Sequence, residues 1–207
     1  MRTLLLLFFS VLLLHAQTYP SFSDHELAKI QKQNPIAKNR IIDYEEKMAI
    51  YKKLNKEDQL KRVNFYLNRL LPQYDSVTYK KEDNWATPKE FLRIGYGDCE
   101  DYALIKYYSL IRLGFDEKKL FITLVKEKSK PDYHMILTYF QNEYSSPLVL
   151  DNLSFKILTL QRRYDLKVKL FVNSTGVYKL NKRGKLTQVA LKLKEFEGIQ
   201  KKVKKNL

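Results

Sequence analysis

The fold of this chain is decided by residues 97–114, which read GDCEDYALIKYYSLIRLG. Apolar residues recur in this stretch at the three- and four-residue spacing of a helix with a buried face. Asp98 is a natural N-cap for such a helix, and Gly114 suits the left-handed residue that follows its last turn. The stretch therefore predicts a helix with Cys99 in its first turn.

The segments on the two sides of this helix differ in periodicity. Before it, residues 41–54 and 55–71 have helical patterns, and residues 87–90 (TPKE) form a capping-box signature with proline at the first helical position. After it, short apolar runs predict strands at residues 120–125, 134–140, 147–150, 166–172, 176–180 and 186–191. Helices followed by strands predict an α+β domain with a mostly antiparallel sheet.

The N-terminal residues have the composition of a secretory signal peptide. Arg2 supplies a positive charge, residues 4–14 are almost wholly apolar, and a small residue follows them before the expected cleavage point. Such an apolar stretch is too short to cross a bilayer, which requires roughly 20 residues. We therefore predict a signal peptide at residues 1–16, a polar and loosely ordered lead-in at 17–40, and a single domain at 41–207. An uncleaved N-terminal anchor is the alternative, and it too would place the domain outside the cytoplasm.

Composition limits the classes of function. The 207 residues carry 38 Lys and Arg against 23 Asp and Glu, a formal net charge of +15, and one cysteine, so no intramolecular disulfide can form. Residues 179–207 hold ten Lys or Arg and two Glu. This run is either a solvated face or a patch for an acidic partner or anionic lipid headgroups. Nucleic acid is not an expected partner, because the chain is predicted to be exported and the lysines lack interleaved aromatic residues.

Three residues are candidates for a nucleophilic triad. At a helix N-terminus, the thiolate of Cys99 would be favoured by free backbone N–H groups and the helix dipole, although a buried structural cysteine is the alternative. His134 begins a predicted strand and is the plausible base by elimination, since the other two histidines lie in the leader and in the lead-in. Asp151 ends the next strand, so antiparallel pairing would bring it beside His134, where it would orient the imidazole. Each residue alone has a structural explanation, but their order and placement together indicate a thiol enzyme.

Asp98, Glu100 and Asp101 place three carboxylates around Cys99 in an otherwise basic protein. Helix capping and favourable placement in the helix dipole explain such residues without any ligand. Three negative charges nevertheless oppose a thiolate unless they are neutralised, and clustered carboxylate oxygens are the ligands that Ca²⁺ prefers. Calcium binding is therefore a second interpretation of the cluster. A structural zinc site would need more cysteine and histidine than the chain offers.

Four segments carry a resemblance to one protein family. They are WATPKEF at residues 85–91, GDCEDYA at 97–103, HMIL at 134–137 and LVLDN at 148–152. Over about residues 40–180, the chain resembles the bacterial transglutaminase-like cysteine proteinases. The resemblance implies a papain-like, transglutaminase-like α+β core, with N-terminal helices, the nucleophile at a helix start and an antiparallel sheet after it.

The resemblance also implies site residues and partners. The family's catalytic Cys, His and Asp would fall on Cys99, His134 and Asp151, and its calcium-binding acidic residues on Asp98, Glu100 and Asp101. It implies a periplasmic, calcium-dependent cysteine endopeptidase that cleaves a large surface adhesin near its N-terminus and so controls biofilm attachment. The further implied partner is an inner-membrane receptor that responds to cyclic di-GMP and sequesters the protease.

Two other functions stay open on the sequence alone. A transglutaminase-type acyl transferase would form the same acyl-enzyme and pass it to an amine instead of water. A non-catalytic basic binding module of the same fold would depend on the lysines of residues 179–207 and not on Cys99.

Overall fold

The computed structural model describes residues 19–80, 83–129, 131–182 and 184–205, so the predicted signal peptide at residues 1–16 lies outside the described residues. The helices are α1 (Asp24–Gln33), α2 (Pro35–Tyr51), α3 (Lys56–Leu67), α4 (Asp75–Thr78), α5 (Pro88–Ile94), α6 (Cys99–Arg112) and α7 (Lys194–Lys205). The strands are β1 (Leu71–Pro72), β2 (Tyr96–Gly97), β3 (Leu120–Glu127), β4 (Tyr133–Tyr139), β5 (Leu148–Asp151), β6 (Ser154–Thr159), β7 (Leu166–Asn173), β8 (Gly176–Leu180) and β9 (Leu186–Val189).

The segment at residues 17–40, predicted to be loosely ordered, is mostly helical in its described part. Ser23 and Glu26 form a capping box at the start of α1, and the side chain of Asn34 caps α2. Ile30 and Ala37 are buried in the main core. The structure therefore corrects the prediction of a loose lead-in, because a helix with a narrow buried face can be polar over most of its surface.

Seven strands form one antiparallel sheet in the order β6-β5-β4-β3-β7-β8-β9. In β4, Leu137 pairs with Ile122 of β3 on one side and with Leu150 of β5 on the other. The sequence patterns do not predict β6, whose residues are all half-buried or exposed. The β4–β5 hairpin brings the end of β5 toward the start of β4, which is the arrangement that the site requires.

α6 is the central helix of the domain. Its residues from Glu100 to Leu110 are all buried, so the helix is enclosed on every side. One face of the sheet packs against α6, and Leu137 and Leu150 share the main core with Leu104 of that helix. A smaller apolar cluster around Ile136 covers part of the opposite face of the sheet.

α7 belongs to the folded domain and was not predicted from the lysine-rich sequence. Phe196, Ile199 and Val203 follow helical spacing and are buried in the main core. The ring of Phe196 packs edge-on against Tyr107 of α6, with 5.9 Å between the ring centroids. Across the described ranges, no helix combines the length and apolar composition that crossing a membrane would require.

Candidate active site

Cys99 is the first residue of α6 and directly follows the N-cap residue Asp98. The side chain of Asp98 makes no capping hydrogen bond to the helix, so the first-turn N–H groups keep their capacity to bind an anion. The thiol is half-buried. The predicted position of the cysteine, at the start of a central helix, is the position that the structure shows.

His134 and Asp151 are in direct contact. The imidazole Nε2 of His134 lies 2.8 Å from Oδ1 of Asp151, and both side chains are buried, at 6% and 0% exposure. His134 stands at the start of β4 and Asp151 at the end of β5, as the antiparallel pairing predicted. Because Nε2 is bonded to the carboxylate, Nδ1 is the ring nitrogen left to exchange a proton with another group.

Asp151 is held as an anion by three donors. Oδ1 accepts hydrogen bonds from His134 and from the backbone N–H of Leu153 at 3.0 Å, and Oδ2 accepts one from the guanidinium of Arg163 at 2.9 Å. Burial alone would raise the pKa of Asp151, but these contacts outweigh burial and hold it well below its usual range. Arg163 was not predicted as a site residue, because a lone arginine after a turn has no distinguishing sequence signal.

Asn64 of α3 and Asn68, the residue that caps the end of that helix, anchor the backbone around Asp151. The side-chain amide of Asn68 donates to the carbonyl oxygens of Asp151, at 2.8 Å, and of Ser154, at 2.9 Å. Asn64 donates to the same Ser154 carbonyl at 2.9 Å and is fully buried. The turn that presents the carboxylate is therefore fixed by the helical half of the molecule.

The Cys99 thiol faces both the acidic cluster and the start of β4. Its Sγ donates a hydrogen bond to Oε2 of Glu100 at 3.2 Å. Burial, followed by the charge of Glu100, raises the pKa of the thiol, and the backbone N–H of Met135 opposes that rise. The N–H of Met135 places the start of β4, and with it His134, beside the sulfur. The expected lowering of the thiol pKa at a helix N-terminus is thus reversed by burial and the neighbouring carboxylates.

Three carboxylates converge next to the thiol. Asp75, Asp98 and Glu100 each offer an oxygen, and the three oxygens lie within 4.8 Å of one another. Asp75, at the start of α4, was not among the predicted ligands, because nothing in its local sequence relates it to Cys99. One carboxylate oxygen of Asp75 and one of Asp98 are buried without a hydrogen-bond partner in the structure.

Asp101, which was predicted as a metal ligand, lies outside this group of three. Its Oδ1 accepts the backbone N–H of Ala86 at 2.7 Å and so ties α6 to the segment before α5. Its Oδ2 is buried without a partner. That oxygen lies against Gly97, where an added Cβ would come within 2.4 Å of it. The residue before the N-cap must therefore be glycine for this carboxylate to fit.

The carboxyl groups around Cys99 fit a divalent cation. Burial, reinforced by the neighbouring carboxylates, raises the pKa of Asp98 to about 6, of Asp101 to about 8 and of Glu100 to about 9. Crowded and desolvated oxygens with unmet hydrogen-bonding capacity are suited to a hard cation such as Ca²⁺. The donor set is oxygen only, which favours calcium over zinc.

Lys106 is a fully buried lysine on α6. It is 0% exposed, and its Nζ has no hydrogen-bond partner. Burial lowers the pKa of Lys106 to about 7, and the charge of Asp151 opposes that shift. The ammonium lies 5.9 Å from the ring centroid of Tyr102, at the distance limit of a cation–π contact.

Trp85 packs against the main core as a partly buried side chain. It is the only tryptophan in the chain. The segment that follows it supplies the Ala86 N–H for Asp101 and the Thr87 cap of α5.

The family model of bacterial transglutaminase-like cysteine proteinases matches residues 32–168 of this chain. The chain belongs to this family. Calcium-bound LapG from Legionella pneumophila is similar to it, with 30% sequence identity and a TM-score of 0.72 over 86% of this chain and 98% of LapG. EGTA-treated LapG from the same organism is also 30% identical, with a TM-score of 0.73 over 85% and 96% of the two chains. Among curated protein sequences, none matches this chain.

Membership of the transglutaminase-like cysteine proteinases confirms two of the sequence predictions. The α+β fold, with helices first and an antiparallel sheet after α6, is similar to that of LapG. The chain is a cysteine protease by family. Cys99 is its only cysteine.

Proposed function

We propose that this protein is an exported, calcium-dependent cysteine endopeptidase whose triad is Cys99, His134 and Asp151. The observation that carries the proposal is the buried 2.8 Å contact between His134 and Asp151 next to the single cysteine of a cysteine protease. Nucleophile, base and orienting acid come from a helix start and two adjacent strands, which is the arrangement that triad chemistry needs.

In the proposed reaction, His134 removes the proton of the Cys99 thiol through Nδ1, and the sulfur attacks the scissile carbonyl carbon. The Cys99 backbone N–H, unbonded within the helix as a first-turn group, donates to the oxyanion. The imidazolium then gives its proton to the leaving amine, and an acyl-enzyme remains. A water molecule deprotonated by His134 attacks the acyl carbon and releases the product acid and the free thiol.

Asp151 orients the imidazole and stabilises its charged form. Its bond to Nε2 selects the tautomer that leaves Nδ1 free for the thiol proton. Arg163 occupies the other carboxylate oxygen and fixes the plane of the carboxyl group. We propose Arg163 as a positioning residue, since it reaches the reaction through Asp151.

Asp75, Asp98 and Glu100 would hold the calcium ion, with Asp101 beside them. Their convergence within 4.8 Å and their unmatched buried oxygens support this assignment. LapG from Legionella pneumophila is described in a calcium-bound and an EGTA-treated form. Bound calcium would supply positive charge that offsets the carboxylates opposing the thiolate.

The substrate and the location follow from the family resemblance and from the leader sequence. We propose that the protease acts in the periplasm and cleaves the N-terminal region of a large surface adhesin, which releases the adhesin and ends attachment in a biofilm. An inner-membrane receptor that responds to cyclic di-GMP would sequester the protease.

The test uses residues 17–207 and the N-terminal segment of a large adhesin from the same genome. We expect a single new N-terminus in the substrate with calcium, no cleavage with EGTA, and none by Cys99→Ala or His134→Ala. Thermal unfolding of each variant shows that it is folded. Full cleavage by Cys99→Ala would refute the triad, and full cleavage in EGTA by protein stripped of metal would refute calcium dependence alone.

Acyl transfer to an amine is tested in the same reaction, because both activities share the acyl-enzyme. A labelled primary amine is added, and the substrate is examined for label and for new N-termini. New N-termini without label indicate hydrolysis. Label without new N-termini would show that the protein is a transglutaminase and would overturn the proposed endopeptidase.

A further inference from the structure

The lysine-rich end of the chain carries a group of exposed lysines, which we call the lysine face. It lies on β8, β9, α7 and their connections. Its exposed lysines are Lys179, Lys182, Lys185, Lys192, Lys194, Lys201, Lys202, Lys204 and Lys205. None of them takes part in the ion pairs formed by the described residues. Glu195 is the exposed carboxylate within the same described segment, and Glu197 is half-buried.

The fold of α7 directs its charge outward. Lys194, Lys201 and Lys205 are separated by about two and three turns, so they project from one side of the helix. The buried residues Phe196 and Val203 occupy the opposite side and hold the helix on the core. The charge is therefore displayed by a fixed element of the domain and is not carried on a loose tail.

We infer that the lysine face binds a surface of anionic lipid headgroups. Lysine is a compact charge on a flexible stem, which matches the diffuse charge of a headgroup layer. Leu180 and Leu191 are 40% and 50% exposed between the lysines, and they can enter the headgroup boundary. The described part of the face lacks the exposed aromatic anchors that a specific acidic protein contact would favour.

Both parts of the face lie away from the candidate active site, since α7 contacts α6 at Tyr107, about 12 Å along that helix from Cys99. β9 is the outer edge of the sheet, four strands beyond the β4 strand that carries His134. At about 4.8 Å per strand this is a separation of roughly 19 Å. A protein bound to lipid through the lysine face would keep its catalytic residues available to a protein substrate. Lipid binding through the lysine face would require neither the triad nor calcium.

Vesicle sedimentation with residues 17–207, which include every described residue, tests this inference. Vesicles of phosphatidylcholine with and without about one third phosphatidylglycerol are compared, and binding should require the anionic lipid. The triple variant Lys194→Gln, Lys201→Gln and Lys205→Gln should bind about 100-fold more weakly, at about fivefold per lysine. Binding of the wild-type chain should fall as salt shortens the Debye length from about 10 Å to about 3 Å.

The matched control removes the same charge elsewhere. Lys29, Lys32 and Lys52 are also exposed, and their triple change to Gln should leave vesicle binding within about twofold of wild type. All variants should keep the wild-type unfolding temperature and cleave a soluble substrate at the wild-type rate. The inference would be overturned if the control variant lost as much vesicle binding as the Lys194, Lys201 and Lys205 variant, or if the wild type bound neutral vesicles equally well. Binding to an acidic polypeptide but not to anionic vesicles would also overturn it.

Discussion

Replacing Lys106 by methionine should stabilise the protein by an amount that depends on pH. The native pKa of Lys106 is lowered from 10.5 to about 7 by burial, so the folded state favours the neutral amine. Between these two values the unfolded chain binds a proton that the native state does not, and stability therefore rises with pH across this window. Below pH 7 the protein bears the full free-energy cost of burying Lys106, which at 1.36 kcal/mol per pKa unit is about 5 kcal/mol.

The free-energy cost of burying Lys106 is smaller at alkaline pH. At pH 9 the native amine is already neutral, and the remaining cost is that of deprotonating lysine in solution, about 2 kcal/mol. Methionine is unbranched and of similar length, so it fills the space without a charge. The advantage of Lys106→Met over wild type should thus grow by about 3 kcal/mol between pH 9 and pH 6.

Urea unfolding of wild type and variant at pH 6 and pH 9, at one fixed calcium concentration, measures this difference. Titrations common to both proteins cancel in the comparison. Lys32→Met, an exposed lysine on α1, is the control and should show no pH-dependent difference. A Lys106→Met variant whose stability relative to wild type is the same at both pH values would refute the argument, because it would mean that the ammonium is solvated or paired in the native state.

Three further predictions concern the site. Arg163→Gln removes a 2.9 Å charge-assisted hydrogen bond from the buried carboxylate of Asp151. It should lower the free energy of unfolding by about 2 kcal/mol in urea and reduce kcat more than KM in peptide kinetics. An unchanged kcat would contradict the positioning role of Arg163. Gly97→Ala places a methyl group 2.4 Å from an Asp101 oxygen and should cost about 2 kcal/mol in the same unfolding assay; a neutral effect would show that this carboxylate can move. Asp75→Asn should weaken calcium binding at least tenfold by calorimetry, whereas Asp83→Asn, an exposed neighbour, should not. The calcium affinity of the wild type should rise from pH 6 to pH 9, because cluster carboxyl groups with pKa values of about 6 and about 9 must lose protons to bind the ion.

The α+β fold was predictable because the period of the apolar residues changes at the end of α6. A helix period before Gly114 and short apolar runs after it leave few ways to bury both halves against each other. His134 and Asp151 were predicted as neighbours for a similar reason, since consecutive strands joined by a short loop pair in antiparallel fashion. These inferences rest on local patterns.

The features that the sequence did not predict depend on tertiary contacts or on weak patterns. Asp75 reaches Glu100 only through the packing of the segment around α4, and Arg163 reaches Asp151 only through the turn after β6. The start of α1 could have been predicted, because Ser23 and Glu26 have the spacing of a capping box. In α7 the three buried apolar residues are outnumbered by lysines, so their helical spacing was not recognised in the sequence.

The contacts of Asn64 and Asn68 make the proposed triad a property of the finished molecule. In the proposed triad the nucleophile is carried by the helical half and the base by the sheet, yet the turn that presents Asp151 is fastened by Asn68 from the first half of the chain. A partly unfolded chain would possess the three side chains of the proposed triad but not their alignment. The proposed activity would therefore require that β4 and β5 have packed against the helical half of the molecule.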